Sequence, residues 1–276
     1  MSGRGERTGG ERTGGAVARL RWSARELRRR WRVRRGAPAP LDPARALMIA
    51  GLLALAIAAA ALFLDAALTQ WVREWPRGLR RVFAYVTMLG DSLYIFVLSA
   101  LVIVGALLAR ARAGISRALD AALATLAARA FFVFAVCAGS GVLSQVLKRL
   151  IGRARPRLFD EHGPFHFVFP GFPSTYASFP SGHTITAFAC AAAVAWFAPR
   201  WRWPLFGLAA LVGVSRVAVG AHYASDVVAG AAIGFLSAAA LRRAFAARGV
   251  AFRLAGSRIL VRRAGLIWPA LRGGMR

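Results

Sequence analysis

Apolar residues run along this chain in long blocks, separated by flanks in which arginine is the main charged residue. Ala46 to Leu64 and Ser92 to Ala109 contain no charge at all. Uncharged runs near 20 residues read as membrane-crossing helices; a single one could be a buried core helix, but several in one chain favour spans. Four further runs have less clean edges: Ala130 to Leu147 ends at Lys148, and His183 to Ala198 closes on Pro199. Trp203 to Ala221 carries Arg216 near its end, and Asp226 to Leu241 stops before Arg242 and Arg243. The pattern predicts an all-α fold, a polytopic membrane bundle of about six transmembrane helices.

Composition agrees with that class. Hydrophobic residues make up 58% of the 276 positions and mean hydropathy is +0.51, too apolar for an ordinary soluble domain. Boundaries follow from the blocks: a basic, partly disordered cytoplasmic segment over 1–45, a membrane domain over 46–244, and a basic cytoplasmic tail over 245–276. The first 45 residues are too long and too charged for a removable leader. Within them Val17, Leu20, Ala24, Leu27 and Trp31 recur at helical spacing among arginines. That predicts a basic amphipathic helix on anionic lipid.

Charge changes the picture twice. The formal net charge of +27 raises nucleic acid as a partner. It is divided among several membrane flanks, which favours topology and lipid contact instead, so the expected partners are the bilayer and its anionic lipids. Arginine-rich flanks stay cytoplasmic, which puts both termini inside and segments 65–91, 148–182 and 222–225 outside. The middle segment breaks the rule, because Lys148, Arg149, Arg153, Arg155 and Arg157 lie on the wrong face. An anionic ligand would explain the exception. Lys148 is also the only lysine in the chain, which suggests that a compact ammonium is wanted there.

Three motifs fall at the outer ends of different helices. They are "KRLIGRARP" with Lys148 and Arg155, "PSGH" with Ser181, Gly182 and His183, and "SRVAVGAHYASD" with Ser215, Arg216, His222 and Asp226. Each has a bland reading: interfacial anchors for the first, a helix N-cap for Ser181, a structural pair for His222 and Asp226. Together they offer what a phosphate needs: convergent cations, N–H donors at a helix N-terminus, and imidazoles.

Their order and spacing resemble the type-2 phosphatidic acid phosphatase superfamily, lipid phosphate phosphatases that share a fold with vanadium haloperoxidases. The pattern is Lys, six residues, Arg-Pro; then Pro-Ser-Gly-His; then Ser-Arg, five residues, His, three residues, Asp. All of it is present between Lys148 and Asp226. The resemblance implies a metal-free, cofactor-free hydrolysis of a lipid phosphate. His222 would be the nucleophile, Asp226 its orienter and His183 the acid and then base. Lys148, Arg155, Ser181, Gly182 and Arg216 would hold the phosphate. A haloperoxidase, a lipid phosphotransferase and a transporter are the alternatives. Transporter sites tend toward the midplane, whereas these residues gather at helix ends.

Phosphatidic acid, phosphatidylglycerol phosphate, undecaprenyl diphosphate and a lipid A phosphate all fit as substrates, and an outward site in a bacterial inner membrane favours an envelope lipid. The aromatics from Phe159 to Phe179 suit either a lateral lipid entrance or an interfacial belt. His162 and His166 are the remaining histidines and suit a loop better than a metal site. The sequence sets no oligomeric state.

Overall fold

The computed structural model describes residues 42–112 and 115–262, with the single positions 25, 28, 29, 38 and 40. The five apolar positions of the expected amphipathic helix, Val17, Leu20, Ala24, Leu27 and Trp31, and the tail beyond 262 lie outside the described residues. Seven helices carry the architecture: α1 (Pro43–Arg73), α2 (Arg77–Met88), α3 (Ser92–Ala111), α4 (Arg117–Ile151), α5 (Gly182–Ala195), α6 (Arg202–Ala218) and α7 (Ala224–Ala247).

Each of the six expected spans has a helix. Four stretches are long and apolar enough to cross a bilayer: Pro43–Arg73, Arg77–Ala111, Arg117–Ile151 and Ala224–Ala247. Helix α5 has 14 residues and α6 has 17. At 1.5 Å per residue they extend about 21 and 25 Å, short of a hydrocarbon core of about 30 Å. Large apolar side chains such as Leu52, Leu62, Phe63, Leu98 and Leu101 stand exposed, which suits helices solvated by lipid rather than water.

Helix α1 starts where Asp42 accepts the Ala44 N–H at 3.2 Å and Pro43 takes the first turn. It contains one wide π-turn, Ala60–Leu64. Its buried residues are Ala60, Asp65, Thr69 and Val72. The first gap is five residues, then four, then three, so the wide turn absorbs the extra residue and keeps the four on one face.

Helix α4 ends because Gly152 follows it with φ +59° and its N–H returns to Lys148 O at 3.0 Å. A Cβ there would lie 1.7 Å from Val168 O, so only glycine lets the chain reverse directly after Lys148.

By contacts the chain forms two compact units. One comprises Pro40–Phe96 and Val133–Arg242, the other Met1–Ala39, Val97–Phe132 and Arg243–Arg276. In the first, α6 packs on α5 and on α2. Gly230 and Gly234 of α7 face the α5 backbone, where added Cβ atoms would come within 2.9 Å of Ser181 O and 2.4 Å of Ile185 O. That is the close packing expected of a small-xxx-small face.

In the second unit Phe132 packs edge-on against Phe245 at 5.0 Å and Phe252 at 4.8 Å. There the chain also forms an antiparallel hairpin, β1 (Phe252–Ala255) and β2 (Arg258–Val261), in a stretch read from sequence only as a basic, partly apolar tail. Its two-residue loop uses Gly256 at φ +58°.

Candidate active site

The first motif sits where α4 stops. Lys148, on the last turn, is 6% exposed and donates to Ala177 O at 2.6 Å. After the Gly152 reversal, Arg155 reaches the same carbonyl at 3.4 Å, Ser174 O at 2.8 Å and Ala221 O at 3.4 Å. The two cations therefore converge on one acceptor in the loop before the second motif. Arg149, next to Lys148, turns to Gly171 O at 2.9 Å and also to Phe172 O.

The second motif opens α5. Ser181 is fully buried, and its hydroxyl makes no capping bond to its own helix. It accepts instead from Thr184 Oγ1 at 2.9 Å, while its N–H donates to Asp226 O at 3.1 Å. The bland reading of Ser181 as an ordinary N-cap therefore fails, and the first N–H groups of α5 are left without that partner. A Cβ on Gly182 would meet Ser144 Oγ at 3.4 Å and Lys148 Cε at 3.7 Å, so this helix start lies beside the lysine. His183 lies against Gly90, whose added Cβ would be 3.3 Å from the imidazole Cδ2.

The third motif ends α6 and starts α7. Arg216 donates to Thr87 Oγ1 of α2 at 2.6 Å. His222 sits in the turn between the helices, 3% exposed, and its N–H donates to Arg216 O at 3.2 Å. Its Nδ1 is 3.5 Å from Asp226 Oδ2, close enough for an ion pair but not aligned for a hydrogen bond. Burial is the main cause that pushes the His222 imidazole down to about 3, against the opposing pull of Asp226. It is therefore neutral at pH 7, the state in which a ring nitrogen can act as a nucleophile.

Asp226 is fully buried and saturated. Its Oδ2 accepts from Ser178 Oγ at 2.5 Å and from the Tyr223 N–H at 2.9 Å, and its Oδ1 accepts from Arg153 at 2.6 Å.

Arg153 and Asp65 are the main residues the motif reading left out. Arg153 is 3% exposed and bridges Asp226 to Asp65, which it meets at 2.7 Å. Asp65 is fully buried on α1 and also accepts from the Ser225 N–H at 2.8 Å and its hydroxyl at 2.5 Å. Burial opposes the charge on Arg153, but Asp226 and Asp65 outweigh it and raise its pKa. The guanidinium also lies 4.3 Å from the Tyr223 ring centre.

Among the described residues, Lys148, Arg155 and Arg216 have only carbonyl and hydroxyl acceptors and no carboxylate within ion-pair distance. The one nearby acid in the motifs is held by other groups. Three cations so placed call for an anion from outside the protein. No three His, Cys, Asp or Glu side chains cluster as metal ligands among the described residues. His162 and His166 stack on each other at 4.1 Å.

If Lys148 binds a phosphate oxygen, Lys148→Arg is expected to lower kcat/KM by about 100-fold, the scale of losing one positioned donor. A planar guanidinium does not reproduce a compact ammonium in this buried position. Arg149→Lys, whose side chain points to the Gly171 and Phe172 carbonyls, is expected to change it little. Steady-state rates of the two variants, with thermal midpoints as a folding check, decide; equal and small effects would reject a phosphate contact for Lys148.

The PAP2 superfamily model matches residues 129–249. The chain is 44% identical over 124 residues to lipid A 1-phosphatase of Rhizobium johnstonii, covering 45% of this chain and 51% of that one. It is 35% identical over 100 residues to undecaprenyl-diphosphatase of Sulfolobus acidocaldarius, covering 34% and 48%. The chain thus spans about half the length of the curated relatives it matches. Its fold is similar to a transmembrane PAP2-type phosphatidylglycerolphosphate phosphatase from Bacillus subtilis, with TM-score 0.50 and 25% identity over 74% of this chain and 95% of that one. Residues 129–249, the stretch that matches the PAP2 superfamily model, hold all three motifs.

Proposed function

We propose that this protein hydrolyses a phosphomonoester or diphosphate of a membrane lipid through a phosphohistidine on His222, without a metal ion. The observation that carries the reading is the set of three cations, Lys148, Arg155 and Arg216, that lack an acid partner and share one end of the helices with a buried, neutral His222. The names of the relatives support a lipid phosphate as the substrate.

The chemistry follows from the groups in place. The cations and the N–H groups at the start of α5 bind the phosphoryl oxygens and take up their charge as the transition state forms. With Nδ1 of His222 turned to Asp226, its Nε2 attacks phosphorus. The bond from phosphorus to the leaving oxygen breaks, and His183 gives that oxygen its proton. Water then attacks phosphorus as His183 takes its proton, the phosphorus–nitrogen bond breaks, and His222 leaves neutral.

The test is phosphate release by purified protein from lipid A, undecaprenyl diphosphate, phosphatidylglycerol phosphate and phosphatidic acid, each with and without EDTA. Release from at least one lipid is expected, unchanged by EDTA and inhibited by vanadate, which suits a cradle shaped for five-coordinate phosphorus. Loss with EDTA and recovery with magnesium would overturn the metal-free mechanism.

The arginine asymmetry supports an outward-facing site with both termini cytoplasmic. A cysteine at Ser174, in the loop that meets Arg155, is then expected to react with an impermeant thiol reagent on intact spheroplasts. Labelling only after permeabilisation would invert the topology.

A further inference from the structure

Beside the cradle a cleft of about 170 Å³ opens between the end of α1, α2, the loop after α4 and the end of α6. All of these belong to one compact unit. Its walls include the buried residues Val72, Pro156 and Ala218. Arg73, Arg80 and Arg157 are among its lining residues, and no acid is. Arg73 is engaged by Asp160 at 2.6 Å and Pro156 O at 3.2 Å. Among the described residues, the side chains of Arg80 and Arg157 have no hydrogen-bond or ion-pair partner. The cleft therefore keeps an excess of positive charge on the face where arginine is least expected.

We infer that this cleft is a second anion site, built for a lipid phosphate group other than the one being hydrolysed. The inference rests on the reading of the main site as a lipid phosphate cradle. The space accommodates four phosphate oxygens, each about the size of a water molecule. Forked guanidinium donors suit phosphate oxygens better than a point charge would. The depth fits a headgroup: Trp75 packs on Phe83 of α2 at 5.5 Å, an aromatic pair of the kind found at a membrane surface.

The position couples the cleft to the chemistry. Pro156 directly follows Arg155, and Gly220 precedes His222 by two residues, so on the order of 8 Å of backbone separates the two cationic spaces. The occupant is either a second phosphate of the same substrate or the headgroup of a neighbouring acidic lipid.

The experiment uses the full chain in mixed micelles, as wild type and as Arg80→Glu/Arg157→Glu. Phosphatidylglycerol phosphate supplies a second phosphate beside its monoester, and phosphatidic acid does not. If the occupant belongs to the substrate, kcat/KM for phosphatidylglycerol phosphate falls about tenfold in the variant, the lower end for charge-assisted contacts, while phosphatidic acid changes less than twofold. If it is a neighbouring lipid, phosphatidylglycerol added to the micelles stimulates turnover of phosphatidic acid by wild type and not by the variant. Either result supports the site.

An unchanged ratio of the two substrates together with unchanged dependence on phosphatidylglycerol would overturn it, and so would an equal fall for both substrates without that dependence. Arg80→Gln/Arg157→Gln is expected to show a smaller effect of the same kind, which guards against a folding artefact. If wild type released no phosphate from any lipid, the main reading would fail separately. Retention of phosphatidylglycerol in native mass spectrometry, present in wild type and lost in the variant, would then still read the cleft.

Discussion

Purified His222→Ala protein is expected to fold, bind lipid phosphate and release no measurable phosphate. The side chain is 3% exposed and makes no hydrogen bond in the resting site, so its removal leaves a small void but no orphaned partner. Its proposed role is the whole covalent step, and deleting a nucleophile typically costs about 10⁴-fold or more in kcat. Wild type denatured at alkaline pH during turnover should carry phosphate on this residue that is stable to base and labile to acid. Asp226→Asn is a less clean probe of catalysis, because the same carboxylate holds Ser178, Tyr223 and Arg153. Near-normal turnover by His222→Ala would reject the nucleophile assignment.

Arg153→Ala is expected to give the largest loss of stability of any substitution near the site. It would leave two fully buried carboxylates, Asp65 and Asp226, facing the space of the missing cation. Breaking a buried pair by removing one partner costs about 3–5 kcal/mol, a large share of a typical folding stability. Asp65→Asn should be milder, since an amide still accepts from Ser225. Thermal unfolding in detergent, followed by tryptophan fluorescence, measures both. An Arg153→Ala midpoint within a degree or two of wild type would mean that the bridge contributes little.

The two predictions separate what the sequence made legible from what it hid. His222, Lys148 and their fellow motif residues were readable because each motif is local and the order is fixed along the chain. The spans were readable because lipid demands continuous apolar runs. The bridge through Arg153 was not, because its partners lie 88 and 73 residues away and no spacing links them. A signal was present at one end of it: Asp65 is an acid directly after an apolar run, and an ionisable residue at such a place calls for a partner. Thr87 and Gly90, which meet Arg216 and His183 from outside the motifs, gave no comparable hint.

The hairpin could have been found. Phe252 and Leu254 alternate with Arg253 and Ala255 before the turn residues Gly256 and Ser257, and Ile259 to Val261 form a short apolar run after them, a hairpin pattern hidden by the basic character of the tail.

The wide turn in α1 makes the helix unequally tolerant of changes in length. A helix is a screw, so gaining or losing one residue turns everything beyond it by about 100°. Between Pro43 and Ala59 no side chain is fully buried, and a segment surrounded by lipid has little preference for which face points where. A residue added or removed there, upstream of the turn, leaves the phase of Asp65, Thr69 and Val72 untouched and only lengthens or shortens a lipid-bathed rod. The same change between Asp65 and Val72 would swing part of the buried face away from Arg153 and Ser225. Natural variation in the length of this helix should therefore accumulate before Ala60 and stop at Asp65.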